Sequence, residues 1–394
     1  MAEVFVAEGV RTPMGRYGGA LARVRPDDLA ALVVKEAASR VEGLDPALVD
    51  DVFFGDANGA GEDNRNVARM AVLLAGLPTS VPGVTVNRLC GSGLEAVVEA
   101  SRAIAVGDAS ICLAGGVESM SRAPYVLLKP EMAFPRQHTE LYSSTLGWRM
   151  VSSRMPGEWT VSLGEGAEIL AERGGISREE QDAFALASHQ KAARAWENGV
   201  YAAETVTVPA TDLTRDESIR PDSSLEALAK LPPVFRAGGS VTAGNSSPMN
   251  DGAACLVLAG EAGLARSGAR PLARVVSRAV SAVEPQLFGL GPVEAAVAAL
   301  KRARIGWQDL VAVELNEAFA AQALACLHSW PDLDRGIVNQ NGGAIALGHP
   351  LGCSGARLVV SLSHDLARRH GGYGLVAMCI GVGQGIAMVL EGMS

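Results

Sequence analysis

The sequence predicts an α/β protein whose sheet is buried on both faces. Three observations carry this. Short apolar strand runs alternate with helix patterns from Val4 to Ser121, and the alternation resumes near Ala253. The later series repeats the order of the earlier one. Hydrophobic residues make up 48% of the 394 residues and charged residues 20%, enough to fill the cores of about two or three domains.

In order, Val4–Ala7 reads as a short strand and RTPMGRYGGAL (Arg11–Leu21) as a glycine-rich surface turn. Asp27 begins a helix, DDLAALVVKEAASRV, with Leu29, Leu32, Val33 and Ala37 on one side. Leu48–Gly61 is a strand followed by a glycine loop. Glu62–Gly76 is a second helix, stopped by Gly76 and Pro78. VNRLCGSGLEAV (Val86–Val97) is the end of a strand, a sharp turn and a helix. Ala109–Ser121 is a strand running into another glycine turn.

From about Arg122 to Asn245 the chain is more charged and rich in turns. Its clearest helix starts at Ser177, where Glu180 completes a capping box, and ends at Gly199. This stretch reads as an excursion closing over a site. The expected division is 1–121 with 246–271 as one α/β half, 122–245 as an inserted loop domain, and 272–394 as the second half. VNRLC at Val86 has an echo in VNQNGG at Val338, and LVDDVFFGDANGA matches DLVAVELNEAFA from Asp309. Two such halves about a pseudo-twofold would gather Cys90, Asn316, His349 and Cys379 at one mouth.

A formal net charge of −9 argues against a nucleic-acid partner. The six cysteines lack the spacing of a zinc site, so no metal is expected. No apolar run reaches the roughly 18 residues of a membrane span, and free thiols suit a reducing cytoplasm.

Cys90 sits at a helix start, where unpaired N–H groups and the macrodipole favour thiolate. An activated nucleophile and a buried structural thiol both fit that position. His349 lies in an apolar glycine loop, GGAIALGHPLGCSGAR, directly before a helix. His138, His189, His328, His364 and His370 occupy polar or helix-surface contexts and are expected to be solvated. Cys379 ends an apolar strand, again before glycines. Cys353 reads as a helix-start or packing residue, and Cys112, Cys255 and Cys326 as core. Asn316 starts NEAFAAQALA, where a helix cap competes with a site role. Two cysteines, a histidine and an asparagine on glycine turns fit carbon–carbon chemistry on thioesters.

These motifs, LCGSG, GGVESMS, TAGNSS, NEAFA, GGAIALGHPLG and CIGVGQG, resemble the thiolase family in order and spacing along essentially the whole chain. The resemblance implies a layered αβαβα fold. It assigns Cys90 as the acylated nucleophile, His349 as its activator, and Asn316 as holder of a water. It makes Cys379 the acid/base and gives the N–H of Gly381 to an oxyanion hole with that of Cys90. Coenzyme A or acetyl-CoA enters as substrate, with no prosthetic group. Contacts to it carry over to Leu163, Arg220, Phe235, Ala243, Ser247, Met249, Ala318 and Phe319. A homotetramer is implied.

GRYGGALARVRPDDL, GEDNRNVARMAVLLAGLP and STLGWRM resemble the β-ketoadipyl-CoA and general acyl-CoA branch more than the acetoacetyl-CoA branch. Leu163 departs from both. An acetoacetyl-CoA-specific enzyme, a decarboxylating ketoacyl synthase and a non-catalytic acyl-CoA-binding protein are the rival readings.

Overall fold

The computed structural model describes residues 2–393. The first series comprises β1 (Val4–Arg11), the two-residue β2 (Gly15–Arg16), α1 (Pro26–Arg40), β3 (Asp51–Gly55), α2 (Val67–Leu74), β4 (Val84–Val86), α3 (Ser92–Val106) and β5 (Ile111–Ser119). Helix α2 is shorter than the periodicity predicts. Asn64 and Arg65 have φ of 53° and 65°, which no helix accepts. Asn66 then starts the helix by accepting the Arg69 N–H at 3.3 Å.

The excursion holds β6 (Tyr125–Val126), β7 (Tyr142–Ser143), α4 (Leu163–Gly174), α5 (Arg178–Glu197) and α6 (Leu225–Ala229). The expected capping box at Ser177 and Glu180 is formed. Arg11, fully buried on β1, ties this region down through Glu204 at 2.5 Å and Asp216 at 2.7 Å. The chain then enters β8 (Asn250–Gly260) and α7 (Glu261–Ser267). The second series is β9 (Ala273–Ala282), α8 (Gly291–Ala303), β10 (Leu310–Leu315), α9 (Ala320–Ser329), α10 (Ala344–Leu347), α11 (Leu351–Arg368), β11 (Tyr373–Ile380) and β12 (Gln384–Gly392).

The main sheet runs β10-β11-β12-β9-β1-β8-β5-β3-β4. Its halves meet at β1 and β9, where only Phe5 with Arg274 and Val6 with Ala273 are paired. Outward from that seam each half runs through two antiparallel pairs and then parallel ones: β1–β8, β8–β5, β5–β3 and β3–β4 on one side. The other side has β9–β12, β12–β11, β11–β10 and a parallel bridge from Val313 to Val338. The echo between Val86 and Val338 is thus an echo of place.

Because strand side chains alternate, each apolar strand feeds two cores. Ala253, Cys255 and Val257 of β8 face α1 and α2. Ala254, Leu256 and Leu258 face a middle layer with Leu94 of α3 and Leu358 of α11. Leu375 and Ala377 of β11 face α8 and α9, whereas Val376 and Met378 turn to that same middle layer. The result is helices, strands, the central α3/α11 pair, strands, helices.

The central pair touches through glycines. A Cβ on Gly355 would lie 2.3 Å from the Leu94 backbone N, and one on Gly93 2.5 Å from the Gly352 carbonyl O. Backbone cannot yield there as a flexible side chain would. Gly355→Ala is therefore expected to cost about 1–3 kcal/mol, read as a lowered thermal midpoint. Gly157→Ala, where nothing lies within 4 Å, is the control and should stay within about 0.5 kcal/mol.

Candidate active site

Strand β4 ends at Val86 and α3 begins at Ser92, so the chain must reverse within five residues. It does so through Leu89, held at φ 49°. A non-glycine residue in the left-handed region costs of order 1–3 kcal/mol. Local bonds hold it there: Asn87 Oδ1 accepts the Leu89 N–H at 2.9 Å, and Ser92 Oγ donates to the Leu89 carbonyl at 2.6 Å. Cys90 follows at the tip, 7% exposed, with its backbone joining the start of α3.

His349 stands in the equivalent place before α11. Gly348, at φ 113°, packs against the Asn250 side chain so closely that a Cβ would overlap it. That contact lets Asn250 Oδ1 accept the His349 N–H at 3.0 Å. His349 Nδ1 lies 2.6 Å from Ser354 Oγ, and the Ser354 hydroxyl donates to the Pro350 carbonyl at 2.8 Å. With its one proton spent there, Ser354 must accept from Nδ1–H. Nε2 is thereby left as the basic nitrogen, 3.4 Å from Asn316 Nδ2.

Asn316 is not a helix cap. It follows β10 and precedes α9 by several residues, the N-cap of α9 being Phe319. Its backbone N–H donates to Ala377 at 2.9 Å, and its buried Oδ1 has no protein partner. A buried amide oxygen left open beside a histidine has the chemistry of a water holder.

Cys379 lies next to last on β11. Beyond it, Val382 has φ 64°, a strained value for a β-branched residue, before Gly383 at 74°. Gly381, just before that turn, lines the cleft beside Cys90, and its N–H favours the Cys90 thiolate. Burial pushes the Cys90 thiol up to about 11 against the pull of that N–H, and Glu118 adds to the rise. Burial, with Cys90 nearby, also holds the Cys379 thiol well above its ordinary range. Burial and the Arg357 charge lower His349 to about 3. Burial thus favours the uncharged form of all three groups and works against the pull of the helix start on Cys90.

Two arms of one cleft meet at Cys90. The first is lined by Leu163, Phe235, Ser247, Met249, Ala318 and Phe319, together with His349, Cys379 and Gly381. Phe319 packs edge-on to Phe235 at 6.0 Å and to Phe288 at 6.3 Å, and the Ser247 N–H donates to Ala318 O at 3.0 Å. Arg220 and Ala243 are exposed and outside this lining. The second arm is lined by Asn58, Ser144, Thr145, Trp148, Arg149 and Val382, and shares Cys90 and Gly381 with the first.

Sequence reasoning missed Ser354 and Asn250, and read STLGWRM, which holds Ser144, Thr145, Trp148 and Arg149 of the second arm, only as a mark of the family branch. Ser354 lies in the first turn of α11, and its bond to His349 depends on how the chain enters that helix. Two histidines expected to be solvated are buried. His189, on the inner face of α5, accepts the Arg220 N–H at 3.2 Å and is lowered to about 4 by burial and by Arg220. His364, on α11, meets the Gly9 carbonyl at 2.8 Å. Each has a polar partner from a distant part of the chain, which a local reading of helix polarity does not show. Among the described residues no group of side chains is arranged to hold a metal, and no helix is long and apolar enough to cross a membrane.

A thiol held near 11 gains thiolate about tenfold per pH unit below that value. Iodoacetamide labelling of Cys90 in ligand-free protein, followed by peptide mass mapping, should therefore be slow at pH 7 and rise steeply to about pH 10. A rate flat from about pH 6 to 9 would reveal a preformed thiolate.

Profiles for the thiolase N-terminal domain and the thiolase C-terminal domain match residues 4–262 and 269–392. The chain is 55% identical to the 3-oxoadipyl-CoA/3-oxo-5,6-dehydrosuberyl-CoA thiolase of Escherichia coli K12, over 99% of this chain and 100% of that protein. It is 51% identical to the β-ketoadipyl-CoA thiolase of Pseudomonas aeruginosa, over 99% of each. The crystal structure of human mitochondrial 3-ketoacyl-CoA thiolase in complex with CoA superposes with a TM-score of 0.93 at 40% identity, over 100% of this chain and 98% of that one. Together with the paired cysteines and the histidine set between two half-sheets, these matches place the chain in the thiolase family of acyl-transferring enzymes.

Proposed function

We propose that this thiolase cleaves dicarboxylic 3-oxoacyl-CoA, of which 3-oxoadipyl-CoA is the type, using coenzyme A. What most supports this is the joining of two arms at one sulfur, together with full-length relatives named for that substrate. The arm with the aromatic residues suits the narrow, mostly apolar pantetheine. Arg220 and Ala243 lie outside it, at the surface where a nucleotide end would rest.

The roles on this reading are those the resemblance to thiolases implies. Nε2 of His349 takes the Cys90 proton as the sulfur attacks the C3 carbonyl of the substrate. The C3 oxyanion sits on the N–H groups of Cys90 and Gly381, the latter released from the sulfur as it becomes acylated. The C2–C3 bond breaks, and the C2 carbanion takes the proton of Cys379. Its enolate oxygen is steadied by the protonated Nε2 and by a water on Asn316 Oδ1. Acetyl-CoA leaves. A second coenzyme A gives its thiol proton to the Cys379 thiolate and attacks the acyl-Cys90 carbonyl. The shortened acyl-CoA departs, and the Cys90 thiolate recovers its proton from His349. Run backwards, the same steps make the carbon–carbon bond.

A substrate panel tests the reading. kcat/KM for 3-oxoadipyl-CoA should exceed that for acetoacetyl-CoA by at least about tenfold, and equal values would reject the dicarboxylic preference. In the positioning of His349, Ser354→Ala removes the acceptor of Nδ1–H. It should lower kcat about 5- to 30-fold with KM nearly constant, in line with a buried bond worth about 1–2 kcal/mol. A matching rise in KM with kcat unchanged would contradict the role given to Ser354.

A further inference from the structure

We propose that Arg149 is the residue that recognises the distal carboxylate of the acyl chain and so sets acyl preference. This rests on the dicarboxylic reading above. Arg149 is the one charged side chain in the lining of the second arm, which otherwise offers neutral residues around Cys90. It is half-buried, and among the described residues no carboxylate lies within 4.0 Å of it. Its neighbours in the fold are not so placed: Arg88 pairs with Glu95 at 3.0 Å and Arg122 with Glu62 at 2.5 Å.

The guanidinium is held without being satisfied. One Nη2 hydrogen goes to Asn58 Oδ1 at 3.3 Å. Asn58 is itself buried, and its backbone N–H donates to Asp56 Oδ1 at 3.1 Å. Trp148, the preceding residue, is anchored by Nε1 donating to the Val161 carbonyl at 2.9 Å. Of the five guanidinium N–H donors, the others remain for a ligand, in the fork that matches a carboxylate.

Chain length agrees. After cleavage of a six-carbon 3-oxo diacid, Cys90 carries a four-carbon acyl group that ends in a carboxylate. That carboxylate stands three carbon–carbon bonds of about 1.5 Å each from the thioester carbon, a span suited to one arm of the cleft. Placed in this arm without Arg149, the anion would be buried and unpaired. An acyl chain ending in methyl would instead leave the Arg149 fork unused.

The test compares 3-oxoadipyl-CoA with 3-oxohexanoyl-CoA, which has the same six carbons and no carboxylate. The quantity read is the ratio of their kcat/KM values within one protein sample, so that loss of folded protein cancels. Arg149→Gln should shrink the wild-type ratio about 10- to 100-fold, chiefly through KM for the diacid. Arg149→Lys, which keeps the charge but loses the fork, should fall between and serves if the glutamine variant does not fold. A wild-type ratio near one overturns the substrate reading and this proposal with it. A wild-type preference for the diacid that survives Arg149→Gln within about threefold overturns the proposal alone.

Discussion

The rest of the structure depends on the contact of two buried helices that approach each other through glycines. Gly93 of α3 meets Gly352 of α11, and Gly355 of α11 meets the backbone of Leu94. That approach sets the distance between the half-sheets and brings two helix N-termini to one cleft. Cys90 lies just before one and His349 just before the other. Both macrodipoles direct their positive ends there, an effect of about 0.3–1 kcal/mol each at exposed termini. Burial opposes them: raising the Cys90 thiol from 9.0 to about 11 corresponds to about 3 kcal/mol against thiolate. Of the two opposing effects on the Cys90 thiol, desolvation is the larger.

The same geometry brings two arms to one sulfur. The aromatic arm and the arm holding Arg149 share Cys90, Leu146, Gly147, Leu163, Leu351 and Gly381 as a common wall. Under the function proposed above, an acyl chain on Cys90 would lie in one arm while the other exchanged its ligand. Two of the residues held at positive φ stand at this wall, Leu89 just before Cys90 and Val382 just after Gly381.

Much of this was legible in the sequence, and the reasons differ by element. Strands buried on both faces are near-continuous apolar runs, so AACLVLAG and GLVAMCI declare themselves. The repeat could be followed because element order persists where identity does not. Glycine turns located Cys90, His349 and Cys379, since tight approach to a reacting centre demands them. Three things could not be read. The left-handed residues before α2 shortened a helix whose apolar spacing was correct. The sign of the Cys90 shift depends on how much water the fold excludes, which no local pattern encodes. Arg149 belongs to the irregular excursion, where its approach to Asn58 spans 91 positions.

The seam between β1 and β9, only two residue pairs wide, joins two halves of like architecture that bring different side chains to the cleft. One half carries Cys90, the other carries His349, Cys379 and the open amide of Asn316, and residues of the excursion help to line both arms. Strand order and helix position are shared between the halves, whereas the polar side chains at the cleft are not. Neither half alone assembles this set, so the cleft is a property of the join.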